Sequence, residues 1–260
     1  VLRSIASYIP QNRVDNQALA ATVDTSDEWI RSHTGIGARH IADEGVLTSD
    51  MAAEAARAAL AKAKITAHDL DLIVVATATP DYFGFPATAC IVQEKIGAFG
   101  CAAFDVVAGC SGFLYAVLFG DGAGAAVISR IDEGGRGCLA FMLGADGGGA
   151  RDLYLEQAPR TSAYERSAPM VPRIVMDGKK VYDFAVKSIT VLIERIMHAT
   201  AYRLEDFTWI IPHQANARII QAAGKRFGIP PEKFYLNIDE YANTSSASIP
   251  LALAEMDAKG

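Results

Sequence analysis

Long apolar runs are missing from this sequence. No stretch approaches the roughly 20 consecutive apolar residues that a membrane-spanning helix needs, although 51% of the 260 residues are hydrophobic. The first residues also lack the charged and apolar regions of a secretory signal. The sequence therefore predicts a globular chain with a large core, no membrane association and a cytoplasmic location.

Cysteines are few and widely spaced, which argues against a disulfide framework and against a zinc site. The four cysteines form no CxxC pair and have no histidine nearby at ligand spacing; they are Cys90, Cys101, Cys110 and Cys138. We expect three of them to be small core residues. Cys110 differs from the others because of its local sequence.

A surplus of positive charge is lacking as well. The formal net charge of −6 argues against nucleic acid as a partner, because neutralising phosphates requires clustered Lys and Arg. Residues 216–227 are a local exception: Arg218 and Lys225 lie seven positions apart, on nearly the same face of a predicted helix, and Arg226 follows. This surface is either a solvated helix face or a docking site for an acidic protein or a phosphate-bearing substrate.

The glycines of residues 120–124 (GDGAG) resemble a phosphate-binding loop only in composition. The GxxxxGK[ST] pattern is absent, and no GxGxxG stands in the right place. Tight packing of a strand is the better interpretation of these glycines.

Cys110 stands between an apolar run and a helical pattern. Residues 102–109 (AAFDVVAG) predict a strand, and residues 111–116 (SGFLYA) predict the start of a helix. At a helix N-terminus, unpaired N–H groups and aligned peptide dipoles favour the thiolate, which makes cysteine a usable nucleophile. His213 and Asn243 lie downstream as candidate partners. The three residues together indicate a Cys/His/Asn acyl-transfer site. The alternatives are a buried structural thiol, a hydrogen-bonded core histidine and an asparagine that serves only a turn or a helix cap.

The chain carries the same layout of elements twice. Each copy has a helix, a strand, a second helix and a second strand, predicted at residues 49–64 (with Ser49 or Asp50 as N-cap), 72–76, 87–96 and 103–107, and again at 181–200, 208–211, 217–227 and 233–238. A further helix is predicted over 249–256. Apolar strands that alternate with helices indicate a mainly parallel sheet covered on both faces.

We therefore predict an α/β fold of two pseudo-symmetric halves. Residues 1–129 form the half with the nucleophilic cysteine, and residues 130–260 form the half with His213 and Asn243. In open α/β sheets, ligands bind beyond the carboxyl ends of the strands. Cys110, His213 and Asn243 each follow a predicted strand, so they can converge at one site.

Six motifs occur in the order typical of one enzyme family. They are residues 24–30 (DTSDEWI), 34–36 (TGI), the turn at Cys110, and residues 119–125 (FGDGAGA), 211–216 (IPHQAN) and 243–248 (NTSSAS). In this ordered set the sequence resembles the β-ketoacyl-acyl-carrier-protein synthase III family of thiolase-fold condensing enzymes. The resemblance implies a thiolase-like fold with a layered α/β/α/β/α architecture. It also implies a segment of a few dozen residues between Val117 and Leu118, and a glycine-containing strand after Gly260, neither of which this sequence contains.

The resemblance implies a decarboxylative Claisen condensation in two steps. The Cys110 thiolate attacks an acyl-CoA thioester, and the acyl-enzyme then reacts with malonyl-acyl carrier protein to give a 3-ketoacyl product at the initiation of fatty acid synthesis. Donors from His213 and Asn243 would stabilise the enolate that decarboxylation produces. No metal or resident cofactor is implied, since the CoA thioester is a substrate.

Further binding roles follow from the same resemblance. Trp29 would stack on the CoA adenine, and Asn216 and Arg218 would line the pantetheine tunnel. Phe85 would reach across a homodimer interface and close the partner's acyl pocket. Trp29 could instead be a core aromatic, and Phe85 could simply fill space beside a proline. His33 stands where the family usually has arginine, so CoA contacts there are expected to be weaker or pH-sensitive.

The carrier protein would dock on the basic residues Arg218, Lys225 and Arg226, an arrangement that suits an acidic partner.

Other functions stay open from the residues alone. A related CoA-dependent condensing enzyme, such as a polyketide-type ketosynthase, would use the same three residues; the short connections and residues 24–30 favour synthase III. A Cys/His/Asn amidase or protease would share the acyl-enzyme, but its local sequence signatures are missing. A non-catalytic subunit should have lost its nucleophile, whereas Cys110 is retained. The length and branching of the acyl group are not indicated.

Overall fold

The computed structural model describes residues 1–77, 79–82, 85–107, 122–129, 137–140, 142, 146–156 and 173–260. The strands are β1 Leu2–Tyr8, β2 Asn12–Asp15, β3 Ala38–Ile41, β4 Leu72–Ala76, β5 Ala102–Val106, β6 Ala123–Ile128, β7 Leu153–Glu156 and β8 Arg173–Met176. The helices are α1 Asn16–Ala20, α2 Asp27–Thr34, α3 Thr48–Ala63, α4 Thr88–Ile96, α5 Gly178–Thr200, α6 Ala217–Phe227, α7 Ile238–Tyr241 and α8 Ser248–Lys259. Cys110 lies outside the described residues.

Two strand pairs and α3 form the centre of the N-terminal half. Strand β1 pairs antiparallel with β6, and β4 pairs in parallel with β5. Helix α3 packs on β1 and β6 and also contacts α4. Its inward side is rich in alanine, and Ala59 and Leu60 join Ala6 and Val127 in a buried apolar cluster. Small side chains on this face allow the helix to approach the strands closely.

Helix α8 packs against β1 and β6, so the end of the chain contacts the N-terminal strands. Gly124 in β6 makes this approach possible, because a Cβ atom there would lie 2.2 Å from Cβ of Pro250. Gly124 thus serves tight packing, as the sequence predicts for residues 120–124, of which 120 and 121 lie outside the described residues. The division of the chain at residues 129 and 130 stays a prediction.

The second half places α5 and α6 together around a small core. Ile220, Ile229 and Phe234 form its buried cluster. The predicted strands at 208–211 and 233–238 are wrong in extent, because only Ile210 and Phe234 form a parallel bridge. Pro212 has no N–H to continue the ladder beyond Ile211, and residues 231–233 form a 3₁₀ turn.

Most predicted helices agree with the structure within three residues at their starts. The predicted N-cap of α3 at Ser49 or Asp50 is wrong, because Leu47 occupies that position. The Asp50 carboxylate instead accepts a hydrogen bond from the Leu47 amide at 2.9 Å. Helix α5 starts at Gly178, earlier than predicted, because Asp177 caps it by accepting from the Lys180 amide.

The prediction that three cysteines are core residues is also wrong. Cys90 and Cys138 are exposed, and Cys101 is half-buried. In α4 the buried positions near Cys90 are Ala89 and Val92, so the thiol lies on the outer side of the helix.

Candidate active site

A loop that is fixed at both ends carries His213. The buried Gln214 side chain donates to the carbonyls of Pro212 and Tyr235 at 2.9 and 3.2 Å and accepts from the amide of Asn237 at 3.2 Å. On the other side, Asn216 caps α6 by accepting from the Arg218 amide at 2.8 Å. These bonds hold the loop between the Ile210 bridge and α6.

His213 is largely buried and neutral at neutral pH. Its Nδ1 atom lies 3.0 Å from the Ser248 hydroxyl. Its Nε2 atom is buried and has no hydrogen-bond partner among the residues that the structure describes. Burial lowers the pKa of His213 to about 4, and a hydrogen bond with the backbone of Ser245 opposes this effect.

Asn243 lies at a strained corner of the backbone. Its side-chain oxygen accepts from the Ser245 amide at 2.8 Å, which directs the carboxamide so that its NH₂ group can donate elsewhere. Two non-glycine residues beside it, Ala242 and Ser245, have φ values of 56° and 57°. Left-handed backbone at non-glycine residues costs energy and is often found at functional sites.

His213 and Asn243 are brought to the same corner by Ser245 and Ser248. The Ser245 amide holds Asn243, while its carbonyl accepts from the Ser248 hydroxyl that contacts His213. The sequence alone gave no role to these two serines. The repeated serines of residues 243–248 at a helix start were the available signal, but the contact itself depends on the tertiary structure.

A cavity of about 860 Å³ opens beside this corner, between α3, β4 and β6. Thr244 and Ser245 form part of its wall, and most of the remaining wall is apolar, including Leu60 and Val127. The Thr244 hydroxyl is buried without a hydrogen-bond partner in the described parts of the chain. The space is large enough for a small-molecule ligand.

Trp29 and His33 form an aromatic platform on α2. Their rings stack with centroids 4.4 Å apart and an interplanar angle of 16°. Trp29 is 54% exposed, so the core-aromatic interpretation is wrong. The Asn216 side chain donates to the His33 carbonyl at 2.9 Å, which joins this platform to the start of α6.

The remaining candidate residues lie on the surface. Arg218, Lys225 and Arg226 are exposed on α6. Phe85 is 86% exposed, so it does not fill space inside the chain. Phe104 and Val106 on β5 are exposed large hydrophobic residues as well.

In the described ranges, no helix is long and apolar enough to cross a membrane. Those ranges also contain no group of three or more His, Cys, Asp or Glu side chains placed to hold a metal ion.

The family model and the curated relatives name the same family. The model of the 3-oxoacyl-[acyl-carrier-protein] synthase III C-terminal domain matches residues 197–260, which include His213 and Asn243. The crystal structure of 3-oxoacyl-[acyl-carrier-protein] synthase III from Aquifex aeolicus superposes with a TM-score of 0.89 and 36% identity, covering 100% of this chain and 91% of that one.

Full-length relatives are similar along the chain. β-Ketoacyl-[acyl-carrier-protein] synthase III of Caldanaerobacter subterraneus subsp. tengcongensis is 42% identical over 292 residues, covering 98% of this chain and 88% of the relative. The enzyme of the same name from Neisseria gonorrhoeae is 45% identical over 284 residues, covering 95% and 87%.

The fold and the His/Asn corner define a condensing enzyme of the thiolase fold, as the sequence predicts. The identities along nearly the whole chain show more: this protein belongs to the β-ketoacyl-acyl-carrier-protein synthase III family. The first alignment extends over 292 residues, more than the 260 of this chain, so it contains positions at which this chain has no counterpart. That agrees with an absent internal segment, whose place after Val117 stays a prediction.

Proposed function

We propose that this protein condenses an acyl-CoA starter with malonyl-acyl carrier protein and so initiates fatty acid synthesis. The arrangement of His213 and Asn243 on the two sides of Ser245, in a chain of this family, carries the proposal. Cys110 is the nucleophile and carries the acyl group as a thioester. The product is a 3-ketoacyl-acyl carrier protein.

His213 and Asn243 act on the malonyl group in the second step. Loss of carbon dioxide places negative charge on the thioester oxygen, and fixed donors in a site that excludes water stabilise this charge. The NH₂ group of Asn243 is available for this purpose because the side-chain oxygen is engaged by Ser245. The backbone amide of Cys110 is our candidate donor for the tetrahedral intermediate.

The CoA moiety binds at the platform on α2. His33 covers one face of Trp29, so the adenine stacks on the other. Arg218 and Asn216 line the path of the pantetheine, and Asn216 also holds His33 and α6 in place. The imidazole of His33, in place of arginine, makes contacts with phosphate weaker.

Acylation of Cys110 is the direct test of the proposed function. We expect incubation with acetyl-CoA or a longer acyl-CoA to add one acyl mass, mapped by peptide mass spectrometry to Cys110. Malonyl-acyl carrier protein should then discharge the adduct as a 3-ketoacyl product. Cys110→Ala should abolish the adduct, whereas the exposed Cys138→Ser should not. Hydrolysis of amides without a condensation product would support the amidohydrolase alternative instead.

The basic residues of α6 form the docking site for the carrier protein. Lys225 and Arg226 are exposed in the last turn of the helix, and clustered positive charge steers an acidic partner. We expect Lys225→Glu combined with Arg226→Glu to raise the KM for malonyl-acyl carrier protein about 10-fold, with the KM for acyl-CoA nearly unchanged. Lys64→Glu, at the end of α3, is the control. Equal effects on both substrates would contradict a docking role.

A homodimer is also part of the proposal. Phe85, Phe104 and Val106 are exposed, and exposed apolar residues next to a strand edge mark a candidate protein interface. In the described chain, β5 pairs only with β4, which leaves its other edge for a second copy. Phe85 would then approach the acyl site of the partner. The cytoplasmic location stays a prediction.

A further inference from the structure

Ser248 is buried at the first turn of α8, where its hydroxyl lies between two polar groups. Its exposed fraction is 1%. The Oγ atom lies 3.0 Å from Nδ1 of His213 and donates to the carbonyl of Ser245. Ser248 therefore links the imidazole to Ser245, the residue whose amide also holds Asn243.

The position of the hydroxyl proton determines the tautomer of His213. A serine hydroxyl has one proton, and a carbonyl can only accept. Because Ser248 gives its proton to the Ser245 carbonyl, its contact with Nδ1 is a hydrogen bond only if the ring carries a proton there. His213 also has a hydrogen bond with the Ser245 backbone, and this bond raises the pKa of His213. A bond that raises the pKa is one in which the imidazole is the donor, which agrees with a proton on the ring.

We propose that Ser248 is a positioning residue that holds the proton of neutral His213 on Nδ1, so that Nε2 faces the active site as a proton acceptor. The inference rests on the proposed function and adds a role for Nε2 before any malonyl group arrives. It also distinguishes the two side chains of the corner in the resting enzyme. His213 accepts, whereas Asn243 donates.

The proton balance of the reaction fits this arrangement. During acylation, the proton of the Cys110 thiol moves to Nε2 while sulfur attacks the thioester, and the departing CoA thiolate takes that proton from Nε2, so that His213 is neutral again in the acyl-enzyme. When the malonyl anion binds, Nε2 takes up a proton from solvent water, and the resulting imidazolium donates to the enolate oxygen after carbon dioxide leaves. When the new carbon–carbon bond forms, the Cys110 thiolate departs and recovers its proton from His213.

Burial makes an isolated imidazolium costly at this position. The charged ring forms only next to an anion, first the thiolate and then the malonyl group or its enolate, and an adjacent opposite charge favours the ionised form. The site thus keeps His213 neutral until a negative partner is present.

The tautomer can be measured directly in the unmodified protein. Two-bond ¹H–¹⁵N correlation spectra of the full chain with ¹⁵N-labelled histidine distinguish the two neutral forms at pH 7.5. His213→Gln removes one of the five histidine signal sets and thereby assigns that set to His213. We expect His213 in the form with the proton on Nδ1. Finding the proton on Nε2 would overturn the proposal without any variant.

Substitution of Ser248 tests its role. Ser248→Ala should produce a mixture of both tautomers and slow the acylation of Cys110 by about 10-fold or more, with the KM for acyl-CoA within about 2-fold. Ser248→Thr keeps the hydroxyl and should retain the native tautomer. Ser4→Ala, in β1, is the matched control. It also removes a hydroxyl that donates to a backbone carbonyl, in this case the carbonyl of Ala59.

The outcomes separate this inference from the proposed function. An unchanged tautomer and acylation rate in Ser248→Ala would overturn the positioning role, while acyl transfer to Cys110 would still support the condensing activity. A protein that shows the Nδ1 tautomer but forms no acyl-enzyme would contradict the proposed function and leave the hydrogen-bond assignment intact.

Discussion

The charge of His213 connects this single residue to the stability of the whole chain. Its pKa is about 4 in the folded protein, whereas an exposed histidine has a pKa of about 6.5. Between these values the unfolded chain binds a proton that the folded chain does not. The free energy of unfolding therefore falls as the pH decreases from about 6.5 to about 4, and His213 contributes nothing to this dependence above about pH 7.5.

We expect His213 to lower the free energy of unfolding by about 2 kcal/mol between pH 7.5 and pH 5. Urea unfolding at the two pH values measures this difference. In His213→Gln the difference should be smaller by about that amount, whereas the exposed His198→Gln should retain it. Equal pH dependence in the His213 variant and the native protein would show that burial does not control this imidazole.

The local sequence marks candidate site residues more clearly than it marks their contacts. His213 and Asn243 follow recognisable local patterns, and the structure places them at one corner. The roles of Ser245 and Ser248 could not be predicted, because they depend on how the start of α8 approaches a loop more than thirty positions earlier in the chain. Cys110 lies outside the described residues, so its place beside them stays a prediction.

At the level of elements, α4 takes its cap from a neighbouring strand. Ala87, the N-cap residue, has no side-chain oxygen. The carboxylate of Asp105 in β5 accepts from the amides of Thr88 and Ala89, each at 2.7 Å. A negative charge at a helix N-terminus also interacts favourably with the helix dipole. The first turn of α4 therefore depends on a residue that lies well beyond the end of the helix.

We expect Asp105→Ala to lower the free energy of unfolding by about 1–3 kcal/mol, because two helix amides lose an ionised acceptor. Asp105→Asn keeps one side-chain oxygen and should have a smaller effect. Asp71→Ala is the control, because Asp71 is exposed and directly precedes β4, the strand that pairs with β5. Chemical denaturation monitored by circular dichroism provides the measurement. A loss no larger than that of the control would mean that solvent satisfies these amides equally well.

Helices were predicted more accurately than strands, for a physical reason. The start of α6 is encoded locally, since Asn216 caps it and apolar residues follow at helical spacing. A strand requires a neighbour, and short apolar runs do not specify one. Residues 208–211 have strand-like composition but pair at only one position, Ile210. The cap of α4 by Asp105 is equally invisible in the local sequence.

For the molecule as a whole, the edge of β5 that has no partner strand in the described ranges predicts self-association. Phe104 is 47% exposed on this strand, and a charge at the same position would oppose an apolar interface. We expect the native protein to be a dimer in solution, and Phe104→Glu to shift it toward the monomer. Light scattering after size-exclusion chromatography measures the mass. Tyr202→Glu, at an exposed aromatic residue after α5, should leave the dimer unchanged, and a native monomer would refute the proposed interface.

The thiolase-like fold was predicted from the order of motifs, and the structural similarity confirms it. Position-by-position packing was not predictable in the same way. Gly124 illustrates the difference: its motif was recognised in the sequence, but the requirement for glycine became evident only from its contact with Pro250. The order of the motifs indicates the family. The contacts that each motif makes depend on residues that are distant in the sequence.

The double use of the Ser245 backbone has a consequence for protein engineering. The Asn243 carboxamide is held by the Ser245 nitrogen, and the His213 imidazole is held through the Ser245 oxygen. A substitution that changes the backbone conformation at Ser245 will therefore alter two reactive groups at once, and changes at Asn243 and Ser248 should combine non-additively. Selection for a change in the position of either Asn243 or His213 will therefore recover mutations that also move the other residue.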